Sequence, residues 1–348
     1  MAYNDKKKTS RFNPFSWMNK DGIGVEDAEP PILDNPGIKN YFKLIGRKLN
    51  QIVTSNLLLV FGNFPVLFIL AVLSGYFSIQ TTAPTYSIFA QINGAAMHSQ
   101  NAYVSAILGL FSSQSNVTVL SQVDKVFLLI SLLVFLTFGC VTAGVTYIMR
   151  NIVREEPIFI WHDFWYCVKR NWKQAVVFGI IDLIIILLIA YDVVFLNLNY
   201  SSSMVTVVMF FASLVLAALY TIMRMYIYPM MITFDLSIKK LFKNALIFTI
   251  LGIKRNAVAL LLTVAIAGIN LALLTVYFPL GLLLPFVIVF SLITFTGTYY
   301  AYPVISKYMI EPYYTKDGEL KGALDDVQAA DLPESDDSAG VEDNAVED

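Results

Sequence analysis

Apolar residues in this chain gather in long runs, not in the short alternations of a soluble domain. A membrane-crossing helix needs roughly 20 mostly apolar residues. Six stretches qualify: Val53–Tyr76, Val126–Met149, Val176–Leu196, Met204–Tyr228, Ala257–Tyr277 and Leu280–Val304. Runs this continuous exclude the alternating strands of a membrane barrel. The pattern predicts an all-α polytopic membrane protein with six transmembrane helices.

The polar segments between the runs carry a helical period of their own. Trp161, Phe164, Trp165, Val168 and Trp172 fall on one helix face, as their spacing of three, one, three and four requires. The same spacing recurs at Ile38, Tyr41, Phe42, Ile45 and Leu49, and at Ile238, Leu241, Phe242, Ala245 and Thr249. The span ends repeat as well: "TYIMRN" (146–151) resembles "YTIMRM" (220–225), and "YIYPMMI" (226–232) resembles "YAYPVIS" (300–306). The chain therefore suggests a threefold internal repeat, each unit an interfacial helix followed by two spans. The second interfacial helix is expected to start at Glu155–Pro157 or to restart at Asp163 as N-cap.

Such helices lie among lipid headgroups, held by apolar burial and by anionic lipid at about 1 kcal/mol per basic residue. Trp161, Phe164, Trp165, Val168 and Trp172 are then interfacial anchors. The alternative is a cytoplasmic docking surface made of His162, Asp163, Lys169, Arg170, Asn171, Lys173, Asp235, Lys239, Lys243 and Asn244.

Composition agrees with the membrane reading, at 57% hydrophobic and 14% charged residues. The net charge of −2 hides an asymmetry, because residues 324–348 hold ten acids and no Lys or Arg. With both termini inside the cell, every Lys and Arg except Lys125 falls on the cytoplasmic side, as the positive-inside rule requires. Arg224 is counted there as a snorkelling residue. Residues 1–33 and 315–348 are expected to be disordered cytoplasmic tails around a 34–314 membrane domain. The first span is expected to serve as the targeting signal. Residues 77–123 are uncharged and form an external insertion, with a short helix expected at Tyr103–Phe111. Asn116-Val-Thr and Asn199-Tyr-Ser match the glycosylation pattern on that side.

No catalytic, phosphate-binding or metal-binding spacing is present, so no cofactor, metal or enzymatic activity is expected, and no nucleic-acid partner. His98 and His162 fall on opposite sides of the membrane. Asp182 is the residue that demands an account. It lies roughly 14 Å beyond Lys173 along the helix, near the bilayer centre, where an ionisable group needs a partner. Asn270, Asn63 and Arg224 are the candidates for an intramembrane polar site. Asp182 either serves a flux or is a hydrogen-bonded tie between helices, and in the second case Asp182→Asn should express nearly normally. Asn63-Phe64-Pro65 and Pro285 should kink spans one and six. Arg150, Arg154, Glu155 and Glu156 should pair near the inner surface.

"GCVTAG" (139–144), "TYIMRNIVREE" (146–156) and "FIWHDFWYCVKRNWKQA" (159–175) together resemble the YesL-like family of uncharacterised bacterial membrane proteins. "TSNLLLVFGNFPVLF" (54–68) and "FDLSIKKLFKNALIFTILGIKRN" (234–256) are similar to two further segments of that family. The resemblance covers roughly residues 40–310 without the external insertion. It departs at Cys140, where the family commonly has proline, and in the length of the insertion. It implies a multi-pass protein of the bacterial plasma membrane, often encoded beside carbohydrate uptake and sensing genes. The leading expectation is a non-enzymatic accessory or regulatory component that contacts uptake or sensor membrane proteins. The alternative is a small-molecule transporter or channel, and a membrane-bound enzyme comes third.

Overall fold

A computed structural model describes residues 37–84, 101–103, 114–199 and 203–313 of the chain. The expected tails, the Asn199 tripeptide beyond its first residue and all but the first residue of the Tyr103–Phe111 helix lie outside the described residues.

The fold is all-α and polytopic. In chain order its elements are α1 (Ile38–Gly62), α2 (Pro65–Leu73), β1 (Ile79–Pro84), β2 (Gln114–Val119), α3 (Gln122–Ser131), α4 (Val134–Val153), α5 (Ile160–Leu198) and α6 (Met204–Thr233). These are followed by α7 (Ile238–Leu251), α8 (Ile253–Val276), α9 (Phe278–Leu284), a π-helical turn at Pro285–Val289 and α10 (Phe290–Ile305). Among the described residues, five stretches are long and apolar enough to cross a membrane: α4, α5, α6, α8 and the Phe278–Ile310 run. The pair α1 and α2, bent by 66°, makes a sixth if it is one span. The expected kink in span one is present, while span six runs on through Pro285 as one Phe278–Ile310 stretch with a π turn in place of a break. Pro65 opens α2 after the bend at Asn63–Phe64, and Pro285 opens the π turn, since proline donates no backbone hydrogen bond.

The three units pack as a ring. The second helix of each unit (α4, α6 and α10) touches the other two. Each first helix lies against its own partner and the preceding unit's: α1 on α4 and α10, α5 on α6 and α4, α8 on α10 and α6. The buried core sits in the C-terminal halves of the central helices. Ile148, Met149 and Ile152 of α4 meet Tyr41 and Leu44 of α1 and Tyr299 of α10, while Tyr226 and Met230 of α6 meet Leu241 of α7 and Ile305 of α10. Toward the opposite end burial thins, and between Met204 and Met225 of α6 only Ser213 and Tyr220 are buried.

The interfacial segments differ from unit to unit. α1 kinks at Lys48 (φ −111°, ψ 17°), and α7 stops at Gly252 before α8 begins. α5 runs unbroken for 39 residues, because Lys173-Gln174-Ala175 contains no helix breaker. α5 also starts at neither expected place. It begins at Ile160, and Asp163 in its first turn accepts a 3.0 Å hydrogen bond from the Phe159 N–H. Glu155 ends α4 in the left-handed region (φ 55°), where glycine is usual, and pairs with Arg47 of α1 at 3.1 Å. Arg154 pairs with Glu156 at 2.7 Å. Arg150 instead binds Asn151 and Thr233.

Between α2 and α3 the described residues contain a strand pair that the hydrophobic pattern does not show. β1 and β2 pair antiparallel from Ile79 opposite Val119 to Pro84 opposite Gln114. Below it, Ser121 and Asp124 form a reciprocal capping box that starts α3.

Helices α4 and α5 approach closely at glycine. A Cβ added at Gly139 would meet the Ala175 carbonyl oxygen and would sit 2.7 Å from Gly179 Cα. One at Gly144 would sit 2.6 Å from the Phe164 ring. Small residues let backbones approach in lipid, so Gly139→Ala should lower stability by about 1–3 kcal/mol, the range for overpacking. Detergent-resistant unfolding of the purified variant measures it. An unchanged midpoint would show that this contact can relax.

Candidate functional site

Asp182 lies on the face of α5 that meets α6, and it is fully buried. Tyr220, Arg224 and Tyr228 follow one another on α6 at four-residue steps, so all three project from one face toward it. Asp182 Oδ1 accepts from Tyr220 Oη at 2.7 Å and from Arg224 Nε at 3.1 Å. Oδ2 accepts from Arg224 Nε at 2.8 Å and from Tyr228 Oη at 2.6 Å. Both carboxylate oxygens are therefore engaged by charge-assisted or hydroxyl donors, which makes it possible to bury the ion. The guanidinium also lies 5.2 Å from the Tyr228 ring centre and 5.6 Å from that of Phe138, within cation–π range.

Of the four sequence candidates, only Asp182 and Arg224 meet. Asn63 belongs to the break in span one, where its amide donates to the Leu59 carbonyl at 3.0 Å and its carbonyl accepts from Thr137 at 3.5 Å. Asn270 stands elsewhere on α8, its Oδ1 buried and without a hydrogen bond among the described residues. Tyr220 and Tyr228 were not among the candidates. Their signal was present, since two tyrosines sit four residues either side of an intramembrane arginine.

Beside the ion pair is a cavity of about 170 Å³ walled by all three central helices, with Thr142 and Thr146 from α4, Arg224 from α6, and Thr294 and Thr298 from α10. Each of these threonines donates its hydroxyl hydrogen to the carbonyl four residues back. Their oxygens therefore remain to the cavity as acceptors. Arg224 is the donor there, because only its Nε is engaged among the described residues.

The docking and anchoring candidates separate by exposure. His162, Lys169, Arg170, Lys173, Asp235, Lys239 and Lys243 are exposed, as are Trp161, Trp165 and Trp172. Val168 and Asn244 are half-buried. Three assignments change. Phe164 packs in the protein core over Gly144, so it is no lipid anchor. Asn171 turns inward and donates to the Cys167 carbonyl at 3.2 Å. Asp163 is engaged in starting α5 and lies 3.3 Å from His162 Nδ1. The candidate segments of α5 and α7 adjoin, because Gln174 donates to the Leu236 carbonyl and the Phe178 and Phe242 rings lie 5.8 Å apart.

Residues 52–193 match the family described as "Protein of unknown function, DUF624". The DUF624 match runs from the middle of α1 almost to the end of α5. It contains Asp182 and the Gly139–Gly179 contact, and it stops before the three α6 side chains that hold Asp182. No curated protein and no solved structure matches the chain.

Proposed function

We propose that the protein is a non-enzymatic accessory or regulatory component of the bacterial plasma membrane, with both termini cytoplasmic, acting beside a solute-uptake system. The surface shared by α5 and α7 carries the reading. Lys169, Arg170, Lys173, Lys239 and Lys243 stand exposed there with no ion-pair partner among the described residues, and Trp161, Trp165 and Trp172 stand exposed around them. Cations interleaved with indole rings suit a surface that meets anionic headgroups and a protein partner together. The resemblance of Gly139–Ala175 to YesL-like proteins supports the link to carbohydrate uptake. A transporter or channel is the second reading, favoured by the hydroxyl-lined cavity beside Arg224. Against it, the carboxylate that a proton-coupled carrier would use is already held by three side chains.

Purification in mild detergent followed by mass spectrometry tests the proposal. A stoichiometric uptake or sensor subunit is expected, with recovery falling at least about tenfold in Lys169→Glu/Arg170→Glu/Lys173→Glu, as loss of a few kcal/mol of electrostatic contact implies. The variant should keep the parent's unfolding midpoint. Solute flux by the protein alone in liposomes would overturn the accessory role.

A further inference from the structure

A second cavity, about 280 Å³, lies where α7 stops and α8 begins. Its cationic wall is Lys254 and Arg255 from the first turn of α8 and Lys307 from the turn after α10. No acidic residue lines it, and none of the three cations has an ion-pair partner among the described residues. Lys307 Nζ stands 5.5 Å from the ring centre of Tyr308, which also lines the cavity. Three like charges converging on one concavity repel one another unless an anion joins them.

The break that shapes this cavity is held rigidly. Asn256 donates to the Phe248 and Thr249 carbonyls at 3.2 and 3.0 Å and accepts from Tyr226 Oη at 2.6 Å. Gly252 is required at the corner, because a Cβ there would sit 2.5 Å from Tyr226 Oη and 3.0 Å from the Phe248 carbonyl oxygen. Leu251 and Ile253, on the rim of the cavity, are exposed at 50% and 66%. The rim therefore offers apolar surface directly beside the cations.

We propose that this cavity binds a phosphate monoanion or diester at the membrane surface, with an anionic phospholipid headgroup as the main source and Leu251 and Ile253 against its acyl chain. The three cations take the phosphate oxygens, as basic pockets between membrane helices do. This site is separate from the α5–α7 surface and does not require a protein partner.

Native mass spectrometry of the full chain, titrated with phosphatidylglycerol or phosphatidylcholine, reads the site directly. Phosphatidylglycerol should bind at least about tenfold more tightly, and each of Lys254→Gln, Arg255→Gln and Lys307→Gln should cut that preference about fivefold. Lys125→Gln, exposed on α3 and outside the cavity, should leave it intact. Millimolar inorganic phosphate should displace the lipid. Stabilisation by inorganic phosphate alone, lost in the three variants but with no lipid preference, would make free phosphate the ligand and keep the site. Equal binding of both lipids without any phosphate effect overturns the proposal. So does a lipid preference that survives the triple substitution in a variant whose helical circular dichroism matches the parent's.

Discussion

Asp182→Ala is expected to lower the unfolding free energy by about 3–5 kcal/mol, the usual cost of leaving one member of a buried ion pair without its partner. The arginine left behind cannot relieve the strain by losing its proton, and Tyr220 and Tyr228 lose the acceptor that both now use. Arg224→Met should cost less, about 1–2 kcal/mol, because the remaining carboxyl keeps both tyrosine donors. Asp182→Asn belongs with Ala, not with the wild type. An amide preserves shape but leaves the guanidinium charge unbalanced, so the near-normal expression expected of a simple hydrogen-bonded tie does not carry over to an ion pair. The double variant Asp182→Leu/Arg224→Met should recover part of the loss, giving a favourable coupling in a double-mutant cycle. Unfolding by SDS titration in mixed micelles, followed by circular dichroism, orders the four. Equal losses for Asp182→Ala and Arg224→Met would sink the idea that trapped charge, and not lost packing, sets the cost.

The apolar helices and the break before Pro65 were legible because a run of about 20 apolar residues and a missing proline N–H each have a direct physical consequence in lipid. The direction each apolar face points was not legible. Tyr41, Phe164 and Leu241 hold the same place in three matching stripes, and all three are core residues. Their neighbours Phe42 and Trp165 are exposed. Lipid tails are as apolar as a protein interior, so hydrophobicity alone cannot separate the two sides of such a helix. Glycine does separate them, since Gly139, Gly144 and Gly179 mark where backbones and rings close in. The strand pair was not legible because "IQTTAP" and "QSNVTV" each hold few large apolar residues and lie far apart in the chain. Asp182 announced a partner without choosing among Asn63, Asn270 and Arg224; its hydrogen bonds pick Arg224 with two tyrosines, and their four-residue spacing on α6 is the signal that could have told them apart.

The repeat also marks one position in each unit that bears on the preceding unit. Asn56, Gly179 and Asn256 stand equally far beyond Tyr41, Phe164 and Leu241, and they meet the π turn at Pro285, Gly139 and Tyr226 respectively. Asn56 has the largest task. It is fully buried, its amide donates to the Pro285 and Phe286 carbonyls at 2.9 and 2.8 Å, and its carbonyl accepts from the Ser291 N–H at 2.9 Å. A π turn shifts the hydrogen-bond ladder by one residue, and one side-chain amide meets the groups left over. Asn56→Leu strands two carbonyls and one N–H where water is scarce, so at about 1–3 kcal/mol per orphaned group the expected loss is about 3–5 kcal/mol. Asn56→Asp should do at least as badly, because it sets a carboxylate against two carbonyl oxygens. Adding Pro285→Ala should rescue Asn56→Leu in part, since a residue with its own N–H lets Pro285–Val289 return to an α ladder that satisfies itself. The same SDS titration measures the cycle, and strict additivity of Asn56→Leu and Pro285→Ala would mean that Asn56 is merely packed against the turn and does not hold it open.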